Sequence, residues 1–170
     1  FDALESDVDP VGSNRENNDE RLIFYTRGTV ETAKKLRWPP DAIMCIGWMS
    51  ALAPAYLRKL YADEPAFKGV KVIAVIDDSC FNAPLDPAMV AKLKAEGLKE
   101  ADLKLLKNKE ITPDVLFSLM LKYVHGVIVN VPELPDGFAP LLEATKAKIL
   151  PYEVASQGNE KWVDFVNSLL

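Results

Sequence analysis

Apolar positions along the chain follow two rules in alternation: recurrence every three to four residues, and short unbroken runs. The first helical pattern spans Asn18 to Arg37, where Ile23, Thr26, Val30 and Ala33 return at helical spacing. Asn17 or Asn18 offers a cap, and Asp19 and Glu20 suit the positive end of the helix dipole. Trp38-Pro39-Pro40 predicts the helix end, because proline lacks the next donor and restricts the residue before it. Ala42 to Ile46 is then a continuous apolar run of the kind that parallel sheets bury on both faces. Gly47 and Trp48 read as a turn. Ser50 to Tyr61 reads as a helix carrying Leu52, Tyr56 and Leu60 on one face, with Pro54 tolerable near its first turn.

Val70 to Ile76 is the strongest strand signal, rich in β-branched residues, and Asp77-Asp78-Ser79 follow it directly. A helical stretch is expected from Pro87 to Lys107 with a break near Gly97. Thr112-Pro113 then predicts a capped helix start, with Leu116, Leu119, Met120 and Tyr123 as its stripe. Gly126 to Val131 reads as a buried strand, Asp136 as the cap of a helix carrying Leu141 and Leu142, and Ala147 to Leu150 as a last short strand. An amphipathic helix from Asn159 to Leu170 uses Trp162, Val163, Val166 and Leu169. Strands alternating with helices at crossover length predict an α/β fold: a Rossmann-like three-layer domain with a mostly parallel sheet. Residues 1–170 are expected to form one domain, with 1–16 as a loop-like lead-in.

Composition narrows the classes. With 170 residues and 49% hydrophobic content, the chain supports one well-buried core and is too short for two full domains. A net charge of −5 and the absence of a basic stripe argue against nucleic-acid polymers. Six lysines between Lys92 and Lys109 are interleaved with Glu96, Glu100, Asp102 and Glu110, a solvated mixed-charge face. Cys45 and Cys80 lie in or beside apolar runs, which fits free thiols in a reducing cytoplasm. No apolar run is long enough for a membrane span, and no secretory leader is recognisable. Because the chain begins at Phe1, a fragment of a longer polypeptide is expected.

Ligands of open parallel sheets bind beyond the carboxyl ends of the strands. Three such ends are visible: Gly47-Trp48, Asp77-Asp78-Ser79 and Asn130-Val131-Pro132. Gly47, Trp48, Asp77 and Asp78 are therefore the substrate-binding candidates. The Trp48 ring could stack on a sugar or pack on a helix. Asp77 and Asp78 could meet a ligand or cap a turn, and alternation would turn only one of them to the crevice. His125, the lone histidine, falls just before Gly126 and suits a dipole partner or a satisfied surface residue. One histidine and two separated cysteines supply no zinc set, no Ser-His-Asp triad can be assembled, and neither glycine-rich phosphate fingerprint occurs. No metal and no cofactor is expected.

Several segments, in order, resemble the N-terminal domain of bacterial glycogen synthases and plant starch synthases, the family-five glycosyltransferases. Asn18-Asp19-Glu20-Arg21 with Phe24-Tyr25 is similar to the family's Asn-x-Glu-Arg-Phe helix start. Leu36 to Asp41 resembles its Gly-Trp-x-Pro-Asp turn, and Cys45 to Pro54 sits in the frame of its His-Cys-His-Asp-Trp-Gln-Thr-Ala-Leu-Val-Pro motif. Tyr56 to Gly69 continues the likeness, and Tyr123 to Pro132 is similar to a later Tyr-Ala-Asp-x-Val-Thr-Thr-Val-Ser-Pro strand. The close part covers residues 17–76. It implies part of the N-terminal lobe of a two-lobed (GT-B) glycosyltransferase, with α-glucan or sugar nucleotide as partners.

The departures bear on activity. The family's active-site histidine falls at Ile46, its aspartate at Gly47 and the motif's first histidine at Met44. Its Ile-His-Asn appears as Ile76-Asp77-Asp78, a lysine of a later helix falls at Ser118, and the Lys-x-Gly-Gly donor loop is not found. No catalytic residue is therefore assigned, since isoleucine can neither hydrogen-bond a hydroxyl nor share a proton. The resemblance implies a glycogen-synthase-related protein without stand-alone glucosyl transfer. Two alternatives stay open: an active ADP-glucose- or UDP-glucose-dependent transferase whose donor loop and second lobe lie elsewhere, and an unrelated α/β nucleotide-binding or regulatory domain. Apolar surface left by an absent lobe would make a homo-oligomer or a partner carrying that lobe the expected companion.

Overall fold

Four runs that the sequence marks as strands pair into one sheet, although Ala42–Ile46, expected to be buried on both faces, lies at its edge with Met44 and Ile46 about half exposed. In the computed structural model, residues 15–37 and 39–170 are described. The lead-in up to Asn14, and Trp38 ahead of the two prolines, lie outside them. Strands β1 (Ala42–Ile46), β2 (Lys71–Ile76), β3 (Gly126–Val129) and β4 (Lys148–Leu150) pair in that order, every pair parallel. The fold class is the expected α/β arrangement, with a sheet that is wholly parallel among the described residues. β2 is central and buried on both faces, from Val72 and Ile73 to Ile76, which is why its apolar run is unbroken. Each such side chain contributes about 1.5–3 kcal/mol when fully buried.

Helices cover both faces. On one face Val72, Ala74, Ile76, Val127 and Val129 meet α1 (Asn18–Lys35), α2 (Ala53–Lys59), α3 (Met89–Ala95), α4 (Pro113–Leu121) and α5 (Phe138–Ala144). Strands added one after another in one direction carry their crossovers on one face when handedness is kept, and α2 to α5 form that layer. On the other face Ile73, Val75, Ile128 and Leu150 pack on α6 (Tyr152–Ala155) and α7 (Asn159–Asn167) through Ala155 and Phe165. No described helix is long and apolar enough to cross a membrane.

The start of α1 is tied to α3. Asp19, buried to 1% exposure, and the more open Glu20 both accept from Lys92 Nζ, at 2.7 and 2.8 Å. Asn18, also buried, accepts from Arg21 through its side-chain oxygen, so no asparagine side chain caps the helix. The segment that resembles the family's helix start therefore acts here as a clamp between two helices.

Several boundaries differ from expectation. The helix expected from Ser50 begins at Ala53, after a 3-10 turn over Trp48–Ser50, because Pro54 fits only a first helical turn. The stretch from Pro87 to Lys107 yields only α3: Gly97 at φ +112° ends it, and Leu98, Leu103 and Leu106 reach the core from turns. Helix α5 is preceded by Gly137 in a left-handed conformation rather than capped by Asp136. Thr112 stands at the N-cap of α4, yet its hydroxyl donates to Asp114 Oδ1 instead of capping. β3 stops at Val129, two residues early, and the four-residue α6 has no counterpart in the sequence pattern.

Candidate functional site

The carboxyl ends of β1 and β2 lie side by side, since Gly47 N donates to Val75 O at 3.1 Å. Gly47 adopts φ +66° and ψ −179°, a region open in practice only to glycine. Its turn is closed by Ser50, whose hydroxyl reaches Ile46 O at 2.9 Å and Gly47 O at 2.8 Å. A Cβ built on Gly47 would lie 2.9 and 3.0 Å from the two carboxylate oxygens of Asp77 and would collide with Ser79 Oγ. The torsion disfavours a side chain at this position, and one placed there would displace the Asp77 and Ser79 side chains.

Asp77 accounts for that crowding. Its Oδ1 accepts the Ser79 N–H at 3.0 Å and also the Ser79 hydroxyl, an Asx-type turn that folds the chain back over Gly47. Asp77 is half-buried and Asp78 exposed, so the two carboxylates have different surroundings, as alternation leads one to expect. Cys80 follows, half-buried. Burial first, and then the Asp77 and Asp78 charges, push its thiol up, which keeps it protonated and a poor nucleophile. Burial alone pushes the Cys45 thiol up to about 12.

Trp48 is the fourth candidate. The structure buries it to 6% exposure, its ring edge-on to Phe81 with centroids 5.2 Å apart. Its indole N–H has no acceptor among the described residues. Beside it lies a narrow space of about 20 Å³, lined by Gly47, Asp77, Ser79, Phe117 and Met120. That is the room of one water molecule, not of a sugar ring. Ile46, in the frame of the family's histidine, is 53% exposed at the end of β1.

The third strand end adds less. Asn130 is exposed, and its backbone N–H donates to Ile76 O at 2.8 Å, so it continues the β2–β3 ladder by one bond. The sequence places Ser79 only within a strand end and Ser50 only at a helix start, neither as a site residue, although the Asp-x-Ser spacing of Asp77 and Ser79 is itself an Asx-turn signal. Strand order never reverses among the described residues, whereas ligand crevices of open α/β sheets form where it does. Among the described residues no three His, Cys, Asp or Glu side chains converge as a metal set.

His125 lies at the opposite, amino end of the strands, just ahead of the inner strand β3. Its Nδ1 accepts the Val72 N–H at 3.0 Å, and Arg58 Nη2 stands 2.8 Å from Nε2 while donating to Val70 O. Burial first, then the Arg58 and Lys71 charges, lower its pKa, so the folded state prefers the neutral ring. A lowered folded-state pKa means the unfolded chain binds the proton more readily. The contribution is therefore complete above the ordinary value of about 6.5 and is lost as pH falls through the folded-state pKa. The thermal midpoint is expected to drop between pH 7 and pH 5.5, and His125→Gln to flatten that slope. An unchanged slope in the variant would refute the assignment.

Comparisons with known proteins agree on one family. The model of the starch synthase catalytic domain matches residues 7–115. A glycogen synthase of Chlorobaculum parvum is 30% identical over 145 residues, which is 80% of this chain and 29% of that protein. One of Chlorobium luteolum is 33% identical over 91 residues, or 54% of this chain and 19% of that protein. One of Chlorobaculum tepidum is 29% identical over 151 residues, or 84% and 30%. The chain thus spans less than a third of the curated relatives it matches. No solved structure matches it.

Proposed function

Since this chain belongs to the starch synthase catalytic domain family, we propose that it serves α-glucan metabolism as a glucan- or partner-binding module that does not transfer glucose by itself. Membership removes the reading as an unrelated α/β domain. The observation that carries the proposal is Gly47. Where the family motif has aspartate, the backbone takes a conformation that disfavours any side chain, and one placed there would push aside the Asp77 and Ser79 side chains of the adjoining turn.

The chemistry follows from what that edge offers. Glucosyl transfer needs polar groups that hold the leaving nucleotide and the acceptor hydroxyl, in a cleft from which water is excluded. Loss of one such oriented group costs about 2.7–4 kcal/mol of barrier. The Ile46 side chain supplies no donor or acceptor, and Gly47 supplies only backbone. Asp77 spends Oδ1 on Ser79, leaving Oδ2 and the exposed Asp78 as acceptors for glucan hydroxyls. We place a glucan chain across Gly47, Asp77 and Asp78, with Trp48 beneath them as a packed support.

Isothermal titration with maltoheptaose and a radiolabel transfer assay with ADP-glucose and UDP-glucose test this together. Maltoheptaose binding without transfer is the expected result, with Asp77→Asn and Asp78→Asn weakening binding. Glucose transfer by this chain alone would overturn it.

A second reading draws on the chain's short span relative to its relatives: an active transferase whose donor loop and second lobe lie outside these residues. Under it, transfer would appear only once a polypeptide carrying those parts is added.

A further inference from the structure

We propose that the cavity beside Trp48 holds one buried water molecule that ties the indole to the Asp77–Ser79 turn, making Trp48 a positioning residue for the Asp77 carboxylate. Three polar groups meet at this space, each with bonding capacity unused. The Trp48 N–H is the first: its nitrogen is sealed from solvent and has no acceptor among the described residues. Buried donors in folded proteins are almost always satisfied, so such an orphan calls for a partner of its own. The second is Asp77 Oδ2. Both bonds from Ser79 go to Oδ1, and Oδ2 has no partner among the described residues. The third is Ser79 Oγ, which has given its hydrogen to Oδ1 and keeps lone pairs to accept with.

The size of the space selects the occupant. Trp48, Asp77 and Ser79 all line it, and about 20 Å³ holds one water and nothing larger. Donors and acceptors then balance. The water oxygen accepts from Trp48 Nε1, and its hydrogens go to Asp77 Oδ2 and Ser79 Oγ, about the number of bonds that buried waters make. A cation would meet the indole N–H head-on, and a hydroxyl-bearing ligand would bring carbon atoms for which there is no room. Leu116, Phe117, Met120 and Phe138, from α4 and α5, form an apolar wall and offer the water no competing side-chain partner on that side.

The bridge gives the turn a second anchor. Oδ1 of Asp77 is held by Ser79, and Oδ2 is steered through the water by an indole that packs edge-on against Phe81. With both oxygens held, the plane of the carboxylate at the end of β2 is fixed. A carboxylate oxygen accepts more than one bond, so Oδ2 keeps a site for an outside hydroxyl. Neither the partners nor the measurement of the bridge involves a sugar, so it stands or falls apart from the glucan reading.

Nuclear Overhauser spectroscopy of the full chain carrying isotope-labelled tryptophan tests the bridge. Trp48→Phe identifies the Trp48 indole resonance, and Trp38→Phe with Trp162→Phe does so by elimination if that variant fails to fold. The expected result is a cross-peak between the Trp48 indole proton and water. It should persist in Ser79→Ala, where no hydroxyl at that position can relay exchange. Asp77→Asn should shift the same resonance, while that of Trp162, which donates to Ala155 O at 3.0 Å, stays in place. Absence of the water cross-peak would overturn the proposal, and so would its loss in Ser79→Ala. A Trp48 resonance indifferent to Asp77→Asn would remove Asp77 as a partner and overturn the positioning role with it.

Discussion

Replacing Gly47 with aspartate, the residue of the family motif, is expected to destabilise the protein by about 2–4 kcal/mol and to restore no transfer. Two costs combine. A non-glycine residue at φ +66° and ψ −179° carries strain of about 1–3 kcal/mol. The new Cβ also displaces the Asp77 carboxylate and the Ser79 hydroxyl, disturbing the turn's hydrogen bonds at a cost of about 0.5–1.5 kcal/mol. A second carboxylate beside Asp77 adds like-charge repulsion. Urea midpoints separate these contributions: Gly47→Ala reports strain and crowding without charge, and adding Ser79→Gly to it should return the crowding part alone. Should Gly47→Asp leave the midpoint where it was, the idea that this turn disfavours side chains is wrong.

The second large effect belongs to the other face of the sheet. Phe165→Ala is expected to cost about 3–5 kcal/mol, as deletion of a buried aromatic does. Phe165 is the main side chain by which α7 reaches Ile73, Val75 and Ile128. It lies so close to Gly126 that a Cβ there would stand 2.9 Å from its ring and 2.8 Å from Leu169 Cδ1. Gly126→Ala in the parent should therefore destabilise by overpacking, yet cost much less once Phe165 is alanine. A double-mutant cycle measures that coupling, and strict additivity would show that ring and glycine do not meet.

How much could be read beforehand depends on whether the cause was local. β2 was legible because five consecutive buried positions leave no polar residue in the run, and α1 because Ile23, Thr26, Val30 and Ala33 recur at helical spacing, although the structure buries Leu22 more deeply than Ile23. The stretch after Pro87 misled because leucines and lysines kept a helical rhythm while Gly97 turned the chain; burial of Leu98 and Leu103 satisfies either conformation. At the site, the Asp77–Ser79 turn lies in three consecutive residues and carries a local signal. The torsion of Gly47 does not, because it is fixed by a neighbouring strand: Gly47 N must reach Val75 O while Asp77 crowds it from β2. Burial of Trp48 depends likewise on Phe81, thirty-three positions away in sequence, and no periodicity encodes that meeting.

Strand order follows chain order, and this bears on synthesis. Each strand of the sheet finds its place beside the one made just before it, so registry can be laid down progressively while the polypeptide leaves the ribosome. The far layer behaves oppositely. Until residues 159–167 have emerged, Ile73, Val75 and Ile128 have no α7 to lie under. A nascent chain stalled before those residues would therefore present an oily plane to chaperones, and their emergence decides whether it is sealed.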